Sequence, residues 1–222
     1  MEKNGMKTSI AGEPWEELFD LAVGLIDHVS LNSKVEWSFG GGTVLMFRLN
    51  HRRSKDIDIF IADQQLLGMF SPRLHDYVHA LTASYSEEVQ AIKLQFPMGE
   101  IDFIVAESLT QTPFEKSEVR GRPVMLETPA EIIAKKLWHR GHLATGRDLF
   151  DLAAVAAHDP ALLRGAKISM QKNAETFLYQ CRVRERVIRA QYEAIDTLDF
   201  HLSYEDSMEL ARSMLSPLIS SQ

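Results

Sequence analysis

Cysteine, long apolar runs and an excess of positive charge are all scarce in this sequence, and each shortage excludes a class of protein. The single cysteine, Cys181, rules out an internal disulfide framework and a cysteine-based zinc cluster, so we expect a reducing, cytoplasmic setting. No apolar run approaches the roughly 20 residues that a membrane-spanning helix needs, so we expect a soluble protein without a membrane partner. The net charge of −7 leaves no global basic field, and any RNA or DNA contact must use a local patch.

The composition that is present is that of an ordinary globular protein. Of the 222 residues, 45% are hydrophobic and 25% are charged, which is enough to build a core. Strand-like and helix-like segments alternate up to about residue 127, whereas the later segments are almost all helix-like. The sequence therefore predicts an α+β fold, with a mixed α/β domain at 1–127 and a helical domain at 128–222.

The most informative stretch is residues 39–60. It predicts a strand at 35–39, a turn at Gly41-Gly42-Thr43, a short helix at 44–49, a basic loop and a strand at 56–62. Asp56 and Asp58 are one residue apart on that last strand, so they point to the same face with Cα atoms roughly 6.6 Å apart. A glycine pair lets backbone approach a phosphate, and paired carboxylates suit a cation, so the stretch predicts a site for a metal-bound nucleotide.

Each half of this pattern also has an ordinary explanation. A glycine pair often marks only a turn, and an Asp-X-Asp sequence at a strand end is often only solvated. A third acid, Asp102, is expected on the strand after the turn at 97–99, on the face opposite Ile101 and Phe103. Its ordinary explanation is a solvated position on the open face of a sheet. The combination of the three acids with the glycine turn favours the ligand site.

The carboxy-terminal part offers a lysine pair and a basic cluster. Thr128, followed by proline and then by glutamate three positions on, predicts the start of a helix that carries Lys135 and Lys136. Further helices are expected from about Arg147, at 171–196 and at 204–215. Four arginines lie close together near the middle of the helix expected at 171–196: Arg182, Arg184, Arg186 and Arg189. Such a run is most often a solvated face, and contact with RNA phosphates is the alternative.

Three motifs together resemble the AbiEii/AbiGii toxin group within the DNA polymerase β-like nucleotidyltransferase superfamily. They are Gly41-Gly42-Thr43 with His51-Arg52-Arg53-Ser54-Lys55-Asp56-Ile57-Asp58-Ile59-Phe60, then Glu131-Ile132-Ile133-Ala134-Lys135-Lys136-Leu137-Trp138, then Arg147-Asp148-Leu149-Phe150-Asp151-Leu152. The resemblance covers about residues 35–155, with the expected order and spacing. It implies a polymerase β-like nucleotidyltransferase sheet with flanking helices, followed by a C-terminal helical bundle that contributes lysine and aspartate motifs to the site.

The resemblance also implies a role for each matching residue. Gly41, Gly42 and Thr43 would line the triphosphate of a nucleoside triphosphate. Asp56 and Asp58 would hold magnesium, and Asp102, on a weaker match, would be the third metal carboxylate. Lys136 would face the phosphates, with Lys135 as the alternative, and Asp148 would be an acid near the reacting centre. The residues expected to steady the nucleotide or the acids are Arg52, Ser54 and Arg147.

The chemistry implied is an in-line displacement at phosphorus. Magnesium keeps several waters, so a pair of aspartates with triphosphate oxygens is a sufficient ligand set. A two-metal site would stabilise both the attacking and the leaving oxygen. A substrate hydroxyl near Asp102 would attack the α-phosphorus and expel pyrophosphate, while Lys136 and the amides of the glycine turn would offset the charge of the departing phosphates.

The sequence leaves open which class of molecule accepts the nucleotide, and whether one is transferred at all. A toxin-type enzyme would modify an RNA end, tRNA-like for example, or another macromolecule, and would have an antitoxin protein as a partner; this role is implied by the resemblance alone. The same fold also supports a small-molecule acceptor, as in antibiotic-modifying relatives. A non-catalytic module that binds nucleotide or a partner is the third class, and the acids argue against it, because binding alone gives no chemical reason to keep metal carboxylates.

Overall fold

Residues 12–219 are described in the computed structural model, and they divide into two compact units. The first unit comprises the chain up to Phe47 together with Ser54–Glu107 and Phe114–Glu127. The second comprises Arg48–Arg53, Ser108–Pro113 and the chain from Thr128 onward. The domains predicted at 1–127 and 128–222 did not include this exchange of two short segments, and that division stays a prediction.

A mixed sheet is the framework of the first unit. Within residues 12–219 it has seven strands in the order β3-β4-β5-β2-β1-β7-β6. The strands are β1 (Trp37–Gly40), β2 (Ile57–Ile61), β3 (Tyr85–Glu87), β4 (Ala91–Phe96), β5 (Gly99–Val105), β6 (Phe114–Val119) and β7 (Arg122–Glu127). Two pairings are parallel, β2 with β5 and β1 with β7, and the others are antiparallel. The α+β class and the nucleotidyltransferase sheet with flanking helices are confirmed.

Alternation along the central strands decides which face of the sheet is buried. Ile57, Ile59 and Ile61 of β2 are fully buried, as are Ile101 and Phe103 of β5. The helix α1 (Pro14–Ser30) packs against β2 and β5 with its apolar stripe, as its helical spacing predicts. Residues between these positions on β2 and β5 therefore point to the other face of the sheet.

The last two strands of the sheet form a hairpin at its edge. The edge strand β6 carries Glu115, Lys116 and Glu118 on an exposed surface, and charged residues are usual on edge strands. It joins β7 through the two-residue turn Arg120-Gly121, in which both residues have positive φ. The remaining helices of the unit are α2 (Gly41–Leu49), which passes into the second unit, and α3 (Asp76–Leu81), with a 3-10 helix at Gln64–Phe70 between β2 and α3.

The second unit is helical. Its helices are α4 (Pro129–Arg140), α5 (Gly146–His158), α6 (Lys167–Val183), α7 (Glu185–Glu193) and α8 (Tyr204–Ile219), with short 3-10 turns at Gly141–Leu143 and Pro160–Ala166. Thr128 caps α4 as predicted, its side chain accepting from the backbone N–H of Glu131. The buried carboxylate of Glu131 in turn accepts from the backbone N–H groups of Leu109 and Thr110, which holds segment 108–113 in this unit.

Segment 48–53 is held in the helical unit by backbone pairing. The carbonyls of Asn50 and His51 accept from the N–H groups of Asp199 and Leu198. The N–H of Arg53 donates to the carbonyl of Asp196 at 2.8 Å. None of the helices within residues 12–219 is both long enough and apolar enough to cross a membrane.

Candidate active site

Two aspartates of the first unit lie side by side on neighbouring strands. The parallel pairing of β2 with β5 places Asp58 directly opposite Asp102. Paired residues of adjacent strands are roughly 5 Å apart and share a face, so the two carboxylates meet on the face opposite the buried isoleucines. Burial, and next the charge of Asp58, raise the pKa of Asp102 to about 7. These acids therefore form an electrostatically costly pair of like charges.

The glycine turn packs directly on this pair. β1 runs antiparallel to β2, and Gly40 is paired with Asp58, so the following residue begins α2 beside the Asp58 carboxylate. Gly41 has φ +69°, and a Cβ added there would overlap the Oδ2 atom of Asp58. Only glycine combines this backbone conformation with so close an approach. The turn therefore brings backbone to within contact of a site carboxylate.

Thr43 ties the start of α2 to the chain before β2. Its hydroxyl donates to the carbonyl of Asp56 at 2.6 Å and lies 3.0 Å from the hydroxyl of Ser54. Asp56 precedes β2, and its Oδ1 accepts from the backbone N–H of Glu100 at 3.1 Å. Of the predicted metal carboxylates, Asp58 and Asp102 are thus the pair joined by strand register, while Asp56 is anchored to the start of β5.

A lysine that the sequence did not single out binds one acid of the pair, Asp102. Lys93 is paired with Asp102 across β4 and β5, and its Nζ is 3.1 Å from Asp102 Oδ2. The same ammonium also binds Glu100. Its charge lowers the pKa of Asp102 but does not offset the effects of burial and of Asp58. The Asp102 carboxylate therefore already attracts one cationic group of the protein itself.

The pair suits a divalent cation. Within residues 12–219 no cluster of three or more His, Cys, Asp or Glu forms a metal-binding group by itself. Mg²⁺, however, usually takes only one or two carboxylates and completes its shell with water and substrate phosphates. The Oδ1 atom of Asp102 is buried and has no hydrogen-bond partner in the described structure. An orphaned oxygen beside a second carboxylate is a donor set that a hard cation would satisfy, and the three-carboxylate set stays a prediction.

The raised pKa of Asp102 predicts a pH dependence of stability. The folded protein holds the Asp102 proton up to about pH 7, whereas the unfolded chain releases it near pH 3.8. Between these values the unfolded state binds fewer protons, so the free energy of unfolding falls as pH rises. Asp102→Asn should remove this part of the slope, roughly 2 kcal/mol between about pH 5 and pH 7. Urea unfolding in EDTA at both values measures it.

Glu118→Gln is the matched control, because Glu118 is an exposed carboxylate of β6. This variant should keep the wild-type slope. An unchanged slope in Asp102→Asn would contradict the assignment of that proton to Asp102.

In the second unit, the predicted lysine and aspartate are in contact. The Nζ of Lys136 lies 3.0 Å from Asp148 Oδ1, and Arg140 Nε lies 3.2 Å from the same oxygen. Asp148 also completes the capping box of α5, because its Oδ2 accepts from the hydroxyl and the N–H of Thr145. Burial alone raises the pKa of Asp148, but the charges of Lys136 and Arg140 outweigh burial and lower it to about 2. The carboxylate is therefore ionised at neutral pH.

A second buried aspartate extends this network. Asp151 is fully buried; its Oδ1 is 2.7 Å from Arg52 Nε and 2.8 Å from His51 Nε2, and its Oδ2 is 2.9 Å from Arg52 Nη2 and 3.1 Å from Lys136 Nζ. Burial raises the pKa of Asp151, but Arg52 and Lys136 lower it well below its ordinary value. An ionised carboxylate only accepts hydrogen bonds, so Nε2 of His51 carries the proton. Asp151 thereby fixes both Arg52 and Lys136.

Lys136 and Arg52, both predicted as site residues, share one buried network. The sequence did not single out Asp151, which binds both of them, or Lys93, which binds Asp102. Asp151 stood in the quoted motif, three residues after Asp148, a spacing that puts both acids on one face of α5. Lys93 was available from the two-residue hairpin loop at 97–98, which fixes Lys93 opposite Asp102. Arg147 is exposed on α5, outside this network, and Lys135 pairs with Glu131 at 3.5 Å.

Several solved structures are similar to this chain. MenT4, a nucleotidyltransferase toxin from Mycobacterium tuberculosis H37Rv, matches with a TM-score of 0.53 and 18% identity over 94% of this chain and 85% of MenT4. The antibiotic-resistance factor ANT(2'')-Ia matches with a TM-score of 0.49 and 14% identity over 77% of this chain and 99% of that chain. JHP933 from Helicobacter pylori matches with a TM-score of 0.45 and 13% identity over 96% and 94%. The MenT4 match shows that the fold of this chain is that of a nucleotidyltransferase.

The family follows from the sequence itself. The model of the nucleotidyl transferase AbiEii toxin family, of a type IV toxin–antitoxin system, matches residues 28–220. This chain belongs to that family, and it is accordingly a nucleotidyltransferase. The resemblance found in the motifs is confirmed. A comparison with curated proteins finds no match.

Proposed function

We propose that the protein transfers a nucleotide from a nucleoside triphosphate to an RNA acceptor and releases pyrophosphate. The observation that carries the proposal is the Asp58–Asp102 pair, set in register on parallel strands with the backbone of Gly41 packed against it. Packing alone does not favour two adjacent, half-buried carboxylates, because like charges repel. A divalent cation bound to the phosphates of a substrate would offset this repulsion.

Each proposed role rests on a feature of the residue concerned. Asp58 and Asp102, with Asp56 as the third predicted ligand, would hold Mg²⁺. When bound, Mg²⁺ supplies charge neutralisation at the triphosphate and the reacting oxygens. The amides of Gly41 and Gly42 would donate to the phosphates, which is supported by their position in the first turn of α2, where N–H groups have no intrahelical acceptor. Thr43 fixes this turn through the Asp56 carbonyl.

The cations of the second unit would bind the phosphates. Lys136 and Arg52 are each held by Asp151 and are thereby preorganised, which avoids the cost of ordering them when the substrate binds. In the proposed transfer, the acceptor hydroxyl would give its proton to the Asp102 carboxylate, and its oxygen would bond to the α-phosphorus. The bond from the α-phosphorus to the bridging oxygen breaks, and pyrophosphate leaves against the positive charge of Lys136.

The test is transfer from each α-labelled ribonucleoside triphosphate, with Mg²⁺, into total cellular RNA, protein and the small-molecule fraction. Wild type should label RNA, and Asp58→Asn should lose at least about a hundredfold of the rate, the order expected when a group acting on transition-state charge is removed. Asp58→Asn should stay folded, because it relieves repulsion with Asp102. Glu118→Gln, exposed on β6, should transfer as wild type does.

Two outcomes would overturn the proposal. Equal labelling by wild type and Asp58→Asn would mean that the label does not come from this site. Label confined to the small-molecule fraction would make the acceptor a small molecule, with the carboxylate pair retained as the reacting centre.

A further inference from the structure

One segment of the helical unit is basic, whereas the chain as a whole is acidic. Between residues 160 and 190 the sequence has seven Lys or Arg residues and two acids, whereas the whole chain has 24 Lys or Arg and 31 Asp or Glu. The seven are Arg164, Lys167, Lys172, Arg182, Arg184, Arg186 and Arg189. A basic segment on an acidic protein is a place where a polyanion can bind despite the net negative charge.

Apolar side chains are exposed in the same place. Tyr179, Val183 and Val187 have about half of their surface exposed, at 51%, 52% and 50%. The guanidinium carbon of Arg182 lies 5.6 Å from the ring centroid of Tyr179, a cation–π distance. Arg182 and Arg186 are themselves exposed. We call the surface formed by Tyr179, Arg182, Val183, Arg186 and Val187 the α6–α7 ridge.

The ridge lies on both sides of the junction between α6 and α7. Arg184 ends α6 and precedes α7, with φ −108° and ψ 24°, so the helical path is broken at this residue. The N–H of Arg184 donates to the carbonyl of Gln180, and the N–H of Ile188 donates to the carbonyl of Arg184, both at 3.0 Å, so no loop separates the two helices. Tyr179, Arg182 and Val183 share one face of α6, and Arg186 and Val187 are exposed at the start of α7.

The four arginines of this run separate into two kinds. Arg184 donates to the carbonyl of Ala144, and Arg189 binds Glu185 at 2.9 Å and also Glu205, while lying over the ring of Tyr204 at 4.3 Å. These two stabilise the helical unit. Arg182 and Arg186 instead stand on the exposed ridge, beside an aromatic ring and two valines.

We propose that the α6–α7 ridge is a docking surface for single-stranded RNA, an inference that rests on the proposed RNA acceptor. Exposed aromatic rings next to basic side chains are the elements that bind single strands, with bases stacked on the ring and phosphates on the cations.

The experiment measures binding of a fluorescent single-stranded RNA of about 12 nucleotides to the full chain by polarisation over a series of salt concentrations. Arg182→Gln with Arg186→Gln should weaken binding about tenfold and reduce the dependence of log affinity on log salt by about 1.4, the share of two phosphates. Tyr179→Ala should also weaken binding, and Tyr179→Phe should restore it, because the phenylalanine ring still stacks.

Two controls keep this test separate from that of the proposed function. Lys34→Gln with Lys116→Gln removes the same charge from exposed positions of the first unit and should leave RNA affinity unchanged. Asp58→Asn should bind RNA as wild type does while transferring nothing, so a failed transfer reaction does not affect the binding result. Wild-type RNA affinity in the ridge variants would overturn the proposal and would make the ridge a face for a protein partner.

Discussion

Replacing Asp151 with alanine should lower the free energy of unfolding by about 3–5 kcal/mol. Asp151 is fully buried and pairs with Arg52, Lys136 and His51. Its loss would leave the buried guanidinium of Arg52 without its bidentate carboxylate partner and Lys136 with Asp148 alone. An uncompensated charge in the interior is far more costly than a lost hydrogen bond at the surface. Urea unfolding of both proteins measures the difference.

An exposed ion pair next to this network provides a matched control for Asp151→Ala. Arg53, next to Arg52, pairs with Asp196 at 3.1 Å, with side chains 53% and 68% exposed. Asp196→Ala should therefore cost at most about 1 kcal/mol, as exposed ion pairs do. If Asp151→Ala cost no more than Asp196→Ala, the buried network would not hold the helical unit together.

A double replacement separates the net contribution of the buried ion pair to stability from the cost of leaving one of its charges unpaired. Arg52→Met with Asp151→Leu removes both charges and keeps apolar volume, so this variant should be more stable than Asp151→Ala. It should nevertheless lose transfer activity, because Lys136 is then held by Asp148 alone and Arg52 is absent. Stability regained without activity would show that the charges of Arg52 and Asp151 serve the reaction rather than the stability of the fold.

The sequence was most informative where chemistry depends on local spacing. The strand, turn and helix around Gly41 were predicted because glycine, an apolar run and alternation are local signals. The same-face argument for Asp56 and Asp58 was only partly useful, because β2 begins at Ile57 and Asp56 is held by the N–H of Glu100. The partner of Asp58 is Asp102, and parallel register between distant strands depends on packing that no local pattern reveals.

The helical unit shows the same limit. Its helices were expected from apolar spacing and from the cap at Thr128, but the break at Arg184 has neither glycine nor proline to announce it. The exposed side chains of the ridge could be foreseen as charged, whereas the internal partners of Arg184 and Arg189 could not. Which arginines are left at the surface is decided by tertiary contacts, since Glu205 lies on a different helix from Arg189.

Gly41→Ala should abolish transfer and destabilise the first unit. Comparison with Gly121→Ala shows whether backbone strain or a steric clash is the cause. Gly41 has φ +69° and Gly121 has φ +75°, so alanine is strained by roughly 1–2 kcal/mol at either position. An added Cβ meets nothing within 4 Å at Gly121, but at Gly41 it overlaps Oδ2 of Asp58 and lies 2.9 Å from the Asp58 Cβ. The two variants therefore share the backbone strain and differ in the clash.

The clash can be relieved only if the Asp58 side chain or the turn before α2 moves, because the contact involves the Cβ as well as the flexible carboxylate. Either movement displaces Asp58 from Asp102. We expect Gly41→Ala to lose at least about a hundredfold in transfer and to be less stable than Gly121→Ala by roughly 1–3 kcal/mol, the usual cost of overpacking. Gly121→Ala should transfer normally. Equal transfer by the two variants would show that the close approach of the glycine turn to Asp58 has no part in the reaction.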